Sequence, residues 1–170
     1  MALFEIHTEI LSDINTCFDV SRNIDIHKES LKHTEEIPVS GKTTGLIGLG
    51  EWVSWEAKHF GMVQYLTSKI TEFDKPKYFV DEMVRGAFKS YRHEHRFREE
   101  EGKTIMTNKF YFESPFGLLG KLANWLFLKK YMIKLLKKRN AVLKKRAEQL
   151  YKERKLKTSK YTLKRRYAEV

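Results

Sequence analysis

Residues 90–98 read SYRHEHRFR. In an extended backbone successive side chains point to opposite faces. Tyr91, His93, His95 and Phe97 therefore share one face, and Arg92, Glu94, Arg96 and Arg98 the other. The charged face suits water, so the aromatic face turns toward an interior. Two imidazoles lie between the aromatic ends of that inner face. That is an odd lining for a solid apolar core and a plausible one for a pocket.

The pattern spreads outward from this strand. Downstream, Glu101-Gly102 is a hairpin turn, and Thr104–Glu113 is a strand with Met106, Asn108, Phe110 and Phe112 on one face. Upstream, Lys77–Arg85 is a strand closed by Gly86, preceded by a turn at Asp74-Lys75-Pro76. Met62–Phe73 sets Leu66, Ser68 and Ile70 against Thr67, Lys69 and Thr71. Glu51–Phe60 sets Val53, Trp55, Ala57 and His59 on one face, and Gly61 ends it. Links this short require an antiparallel meander.

Leu3–Leu11 also alternates and reads as a first strand. Ser12 and Asp13 are helix-capping residues ahead of a short helix at Ile14–Val20, and a second short helix is expected at Asp25–Lys32. Glu35–Gly50 reads as a loop, with Pro38 and glycines at 41, 45, 48 and 50. Ser114-Pro115 stops the sheet. From Phe116 to Lys155 the period becomes helical: Leu119, Leu122, Leu126, Ile133, Leu136, Leu143, Ala147 and Leu150 recur at threes and fours. Trp125, Leu128, Met132 and Leu135 widen that stripe. Thr158–Val170 is weakly patterned and reads as a frayed tail. The layout is α+β, and the long helix can bury its stripe only on the inner sheet face.

The 170 residues are 41% hydrophobic and 32% charged, which fits one ordinary globular domain. No apolar run is long enough to span a membrane, so no stable membrane insertion is expected. The N-terminus MALFEIHTEI lacks the basic lead and apolar block of a secretory signal. Cys17 is the only cysteine, which excludes an internal disulfide and fits a cytoplasmic location. It reads as a small core residue rather than a nucleophile. TGLIGLG is no phosphate loop, and no Gly-x-Ser-x-Gly is present.

Net charge is +11, unevenly spread. Residues 121–170 hold 18 Lys/Arg and 3 acids, a balance of +15, which leaves 15 Lys/Arg and 19 acids, −4, for residues 1–120. One reading is weak contact with nucleic acid or an anionic surface through the basic C-terminus. The other, preferred, is a solvated helix face followed by a basic tail. Likewise Trp125, Phe127 and Tyr131, interleaved with Lys129, Lys130 and Lys134, read as core aromatics beside solvated lysines. Oligomeric state is not legible.

The element order and these residues resemble the START-like, or Bet v 1-like, helix-grip superfamily. More closely, the chain resembles its bacterial ligand-binding SRPBCC branch, which is polyketide cyclase/dehydrase-like. Trp52–Gly61 (WVSWEAKHFG), Leu66–Pro76 (LTSKITEFDKP), Phe79–Gly86 (FVDEMVRG), Tyr91–Phe97 (YRHEHRF) and Met106–Pro115 (MTNKFYFESP) carry the resemblance. It implies a curved antiparallel sheet of six to seven strands wrapped around the long C-terminal helix, with two short helices after strand 1. Six strands are legible, and the seventh would fall near Leu31–Pro38. The resemblance implies a ligand-binding domain over residues 1–155, with 156–170 a basic tail outside it. Its members include lipid carriers, hormone receptors and cyclases, so the fold does not settle the function.

The inner-face polar set is His59, Ser68, His93, His95 and Asn108, with Asp81 on the same side. Its apolar neighbours as candidate ligand contacts are Trp55, Leu66, Phe79, Met83, Tyr91, Met106 and Phe110, with Trp125 from the helix. A few polar groups in an apolar lining are the usual composition of a small-molecule site, and this reading is preferred over a closed core in which the polar groups hydrogen-bond one another. The reading is binding or transport of a hydrophobic small molecule or lipid, with no cofactor implied. One alternative is a cyclase/dehydrase- or isomerase-type enzyme in which His93 or His95 is a general base tuned by Asp81. The other is a basic module binding RNA or an anionic membrane. His59, His93 and His95 could meet at a metal, but no carboxylate or thiolate is clearly spaced to complete a shell, and none is expected.

Overall fold

The computed structural model describes residues 2–113 and 123–168, with side chains placed for 3–113 and 127–158. Strand β1 (Ala2–Ile10) leads into helices α1 (Ile14–Ser21) and α2 (Ile24–Ser30) and a 3-10 turn at Lys32–Thr34. Six strands follow: β2 (Ile37–Gly41), β3 (Trp52–His59), β4 (Met62–Asp74), β5 (Tyr78–Arg85), β6 (Ser90–Glu100) and β7 (Lys103–Glu113). Helix α3 (Ala123–Ala168) closes the chain. The strands form one antiparallel sheet in the order β1-β7-β6-β5-β4-β3-β2.

Local chemistry accounts for the elements. Asp13 caps α1: its carboxylate accepts from the Thr16 amide at 2.9 Å and the Thr16 hydroxyl at 2.6 Å. Asn23 caps α2 by accepting from the Ile26 amide at 3.1 Å. The β3–β4 and β6–β7 hairpins each turn through two residues of positive φ, Phe60-Gly61 at 53° and 78° and Glu101-Gly102 at 50° and 77°. Two positive φ angles match the right-handed twist of the flanking strands, and glycine adopts the second without strain.

Two readings are corrected. Within the expected loop Glu35–Gly50, residues Ile37–Gly41 form the seventh strand, later in the chain than the Leu31–Pro38 expected for it, where a 3-10 turn lies instead. IPVSG shows no apolar alternation because β2 is an edge strand, exposed along most of its length, with a bulge between Pro38 and Ser40. The expected frayed segment from Thr158 instead continues α3 to Ala168. Helix propagation adds one hydrogen bond per residue and needs no apolar stripe once the helix is nucleated. Leu119, Leu122, the 114–115 stop and the side chains of Trp125 and Leu126 lie outside the described residues.

Two buried clusters hold α3 in the curve of the sheet. One joins Leu143 and Ala147 to Cys17 and Phe18 of α1 and to Phe79, Phe97 and Met106 of the sheet. Phe18 stands edge-on to Phe73, Phe79 and Phe97 at centroid distances of 5.3–5.5 Å. Burial pushes the Cys17 thiol up to about 11, so it is an inert core group. The other cluster joins Met132, Leu135 and Leu136 to Phe4, Ile6, Tyr91, Phe110 and Phe112. No helix among the described residues is long and apolar enough to cross a membrane.

Candidate functional site

The sheet and α3 enclose a cavity of about 460 Å³, which α1 and α2 help to wall. Its wall takes Trp55 and His59 from β3, Leu66 and Ser68 from β4, and Phe79 and Asp81 from β5. Tyr91, His93 and His95 come from β6 and Phe110 from β7. Three sequence candidates stand outside the wall. Met83 is half-buried against the second cluster. Met106 is fully buried, its sulfur 3.4 Å from the Ser21 hydroxyl oxygen, which donates to the Cys17 carbonyl at 2.8 Å. Asn108 is fully buried behind His95. Trp125 lies outside the described side chains.

Strand register assembles the polar part of the wall. Phe79, His95 and Asn108 lie in one cross-strand row, and Asp81, His93 and Phe110 in the next. The His95 ring stacks on Phe79 at 4.2 Å and 11°. Asn108 donates from its amide nitrogen to His95 Nδ1 at 3.2 Å. The proton of neutral His95 is thereby assigned to Nε2, which donates to Asp81 Oδ1 at 2.8 Å. Tyr91 donates to the other carboxylate oxygen at 3.0 Å. His93 Nδ1 is 3.7 Å from Asp81, too far for a hydrogen bond, and its buried Nε2 has no partner among the described residues.

Burial governs the protonation of this group. It holds both imidazoles well below the ordinary 6.5, and His95 and Arg139 add to the effect on His93, as Arg139 and His27 do on His95. Burial, with the Asp81 charge beside it, raises the Tyr91 phenol well above its ordinary 10. The site therefore presents neutral imidazoles, a phenol that stays protonated, and a carboxylate between them.

Asp81, His93 and His95 bring three donor atoms within 4.8 Å of one another, supplying the carboxylate that spacing alone did not reveal. His59 is not part of that group; its Nδ1 pairs with the Tyr131 hydroxyl at 2.6 Å. A cation among these three would sit in the field of buried Arg139, which disfavours it.

Sequence reasoning missed several wall residues. His27 stacks on Trp55 at 4.3 Å and pairs with buried Glu36 at 2.8 Å. Arg139 of α3 is 3% exposed. Its signal was legible: the buried series Met132, Leu135, Leu136, Leu143, Ala147 steps straight through positions 139 and 140, which are arginine and asparagine. Phe60, Met62, Tyr65 and Phe127 also belong to the wall yet are more than half exposed, which marks the mouth and corrects the reading of Phe127 as a core aromatic. Phe60 and Phe127 meet there at 5.4 Å.

A family model described as "Polyketide cyclase / dehydrase and lipid transport" matches residues 28–148. No curated protein is similar enough in sequence to match. Solved structures share the fold. TTHA0849 from Thermus thermophilus superposes with a TM-score of 0.66 at 18% identity, over 84% of this chain and 97% of that one. Major latex-like protein 151 from Panax ginseng gives 0.58 at 14%, over 82% and 95%. The di-domain ARO/CYC StfQ of the steffimycin biosynthetic pathway gives 0.70 at 10%, over 86% of this chain and 50% of that protein.

Proposed function

The chain belongs to the polyketide cyclase/dehydrase and lipid transport family, and from that premise we propose that it binds a largely apolar small molecule or lipid between its sheet and α3. The observation that carries this reading is the cavity of about 460 Å³, walled mainly by apolar and aromatic side chains with a few buried polar groups. Apolar burial at about 25 cal/mol per Å² supplies the affinity, and the polar row on β5 and β6 sets the orientation. The fold alone would not carry the reading, because it hosts carriers and enzymes alike.

Native mass spectrometry of protein purified from its own host tests it. A small molecule should travel with the wild type and be lost from Ala57→Trp, which fills the cavity from β3. Protein that carries nothing, or a folded Ala57→Trp that keeps the same adduct, would overturn it.

A cyclase- or isomerase-type activity is the second reading, favoured by one observation: His93 Nε2 is buried, unpartnered and on a residue of the cavity wall. A neutral imidazole there can accept a proton from an acidic C–H or O–H of a carbonyl ligand. Under this reading the molecule recovered from the host is converted by the wild type. His93→Ala binds it without converting it. Recovery of unchanged ligand from both proteins leaves binding alone.

A further inference from the structure

Arg139 is a costly group to bury in the cavity wall. It is 3% exposed and stands in a helix stripe with Met132, Leu135, Leu136, Asn140 and Leu143. Among the described residues its one hydrogen bond runs from Nη2 to the Ser21 carbonyl, at 3.1 Å. Nε and Nη1 are buried and meet no acceptor. A guanidinium has five N–H donors and is charged at any relevant pH. Closing the end of α1 at Ser21 needs one of them; leucine or methionine at 139 would fill the space at lower desolvation cost.

Acidic groups stand within range of Arg139, but none touches it. Asp81 and Glu36 act on it through space, against the burial that lowers its pKa. Each carboxylate has its own donors: Tyr91 and His95 for Asp81, His27 for Glu36. These two acids also limit the charge the cavity tolerates. Both repel any anion, and a dianion such as a phosphate monoester about twice as strongly as a monoanion, whose charge direct contact with Arg139 can offset.

We infer that the ligand is a monocarboxylate with an apolar body, its head held by the free N–H groups of Arg139 and its body against the aromatic wall. The inference rests on the cavity-binding reading and specifies the ligand class. Carboxylate and guanidinium match in geometry, and their charge-assisted bonds are the strong ones. Arg139 thus sets specificity and needs no part in any chemistry.

Calorimetric titration of the whole protein tests this with matched probes: 2-naphthoate, 2-naphthamide and 2-naphthyl phosphate, then nonanoate and nonanamide. On the wild type each acid should bind roughly ten- to a hundredfold tighter than its amide, and 2-naphthoate tighter than the phosphate ester. Arg139→Met and Arg139→Gln should abolish the acid-over-amide preference while leaving amide affinity in place. The wild-type comparison needs no variant, so a variant that fails to fold does not blunt the test. Equal binding of acid and amide, a preference that survives Arg139→Met, or tighter binding of the phosphate ester overturns the inference and leaves the cavity reading standing. Failure of every probe to bind overturns both.

Discussion

His93 and His95 are two residues apart in sequence, yet their burial gives them different partners. His95 is saturated by Asp81 and Asn108, while His93 keeps Nε2 free. Alternation along SYRHEHRFR placed both rings inward, and Tyr91 and Phe97 with them, all under 9% exposed. Which imidazole was saturated depended on Asn108, which no reading of this one strand could reveal. The charged outer face also hides a buried group. Glu94 is 8% exposed, clamped at 3.2 Å by Arg92 and at 3.0 Å by Arg96. The two inward rings make stability sensitive to acid. In the unfolded chain they take up protons as pH falls through about 6.5, whereas the folded chain keeps them neutral. The unfolded state then holds more protons, so stability falls on acidification, by up to about 1.4 kcal/mol per pH unit for each ring. Urea unfolding between pH 7.5 and 5 should show this decline, and His93→Gln should flatten it by up to half. Stability that holds or rises toward pH 5 would contradict the assignment.

Helix α3 divides into a part that builds the core and a part that does not. Leu143 is 1% exposed within the α1 cluster, and Leu156 is 62% exposed. Leu143→Ala should cost about 2–5 kcal/mol, because it deletes buried methyl groups and leaves a cavity. Leu156→Ala should cost less than about 0.5 kcal/mol. Urea midpoints read both, and similar losses would mean that the last turns of α3 also carry core. Periodicity revealed the helix, its stripe and its antiparallel sheet, because apolar spacing is fixed by backbone geometry. It did not reveal β2, whose side chains are mostly exposed and therefore unpatterned. Nor did it reveal Arg139, because a stripe sought in apolar letters passes over a charged residue that fills the same place.

On the scale of the whole molecule, one interior is shared between a solid core and a cavity. The α1 end is packed by Phe18, Leu143 and Ala147, and the wall opens beside Trp55, His93 and Arg139. A ligand that binds only the folded chain stabilises it by mass action, by about 2.7 kcal/mol at a hundred times its dissociation constant. For a chain of 170 residues this is a rise in melting temperature of about 5–10 °C. Differential scanning fluorimetry with 2-naphthoate should show that rise in the wild type and lose it in Ala57→Trp. An equal rise in both proteins would place the ligand outside the cavity. The amino-acid order by itself determined the α+β layout, the meander and the inward faces. All of these follow from backbone periods of two and 3.6 and from turn chemistry between neighbours in the chain. Only tertiary structure decided that the space between sheet and helix stays open, that Asp81 lies between Tyr91 and His95, and that two nitrogens of Arg139 meet no acceptor. Those are distances between groups far apart in sequence, set by how curved surfaces close on one another, and no local pattern encodes them.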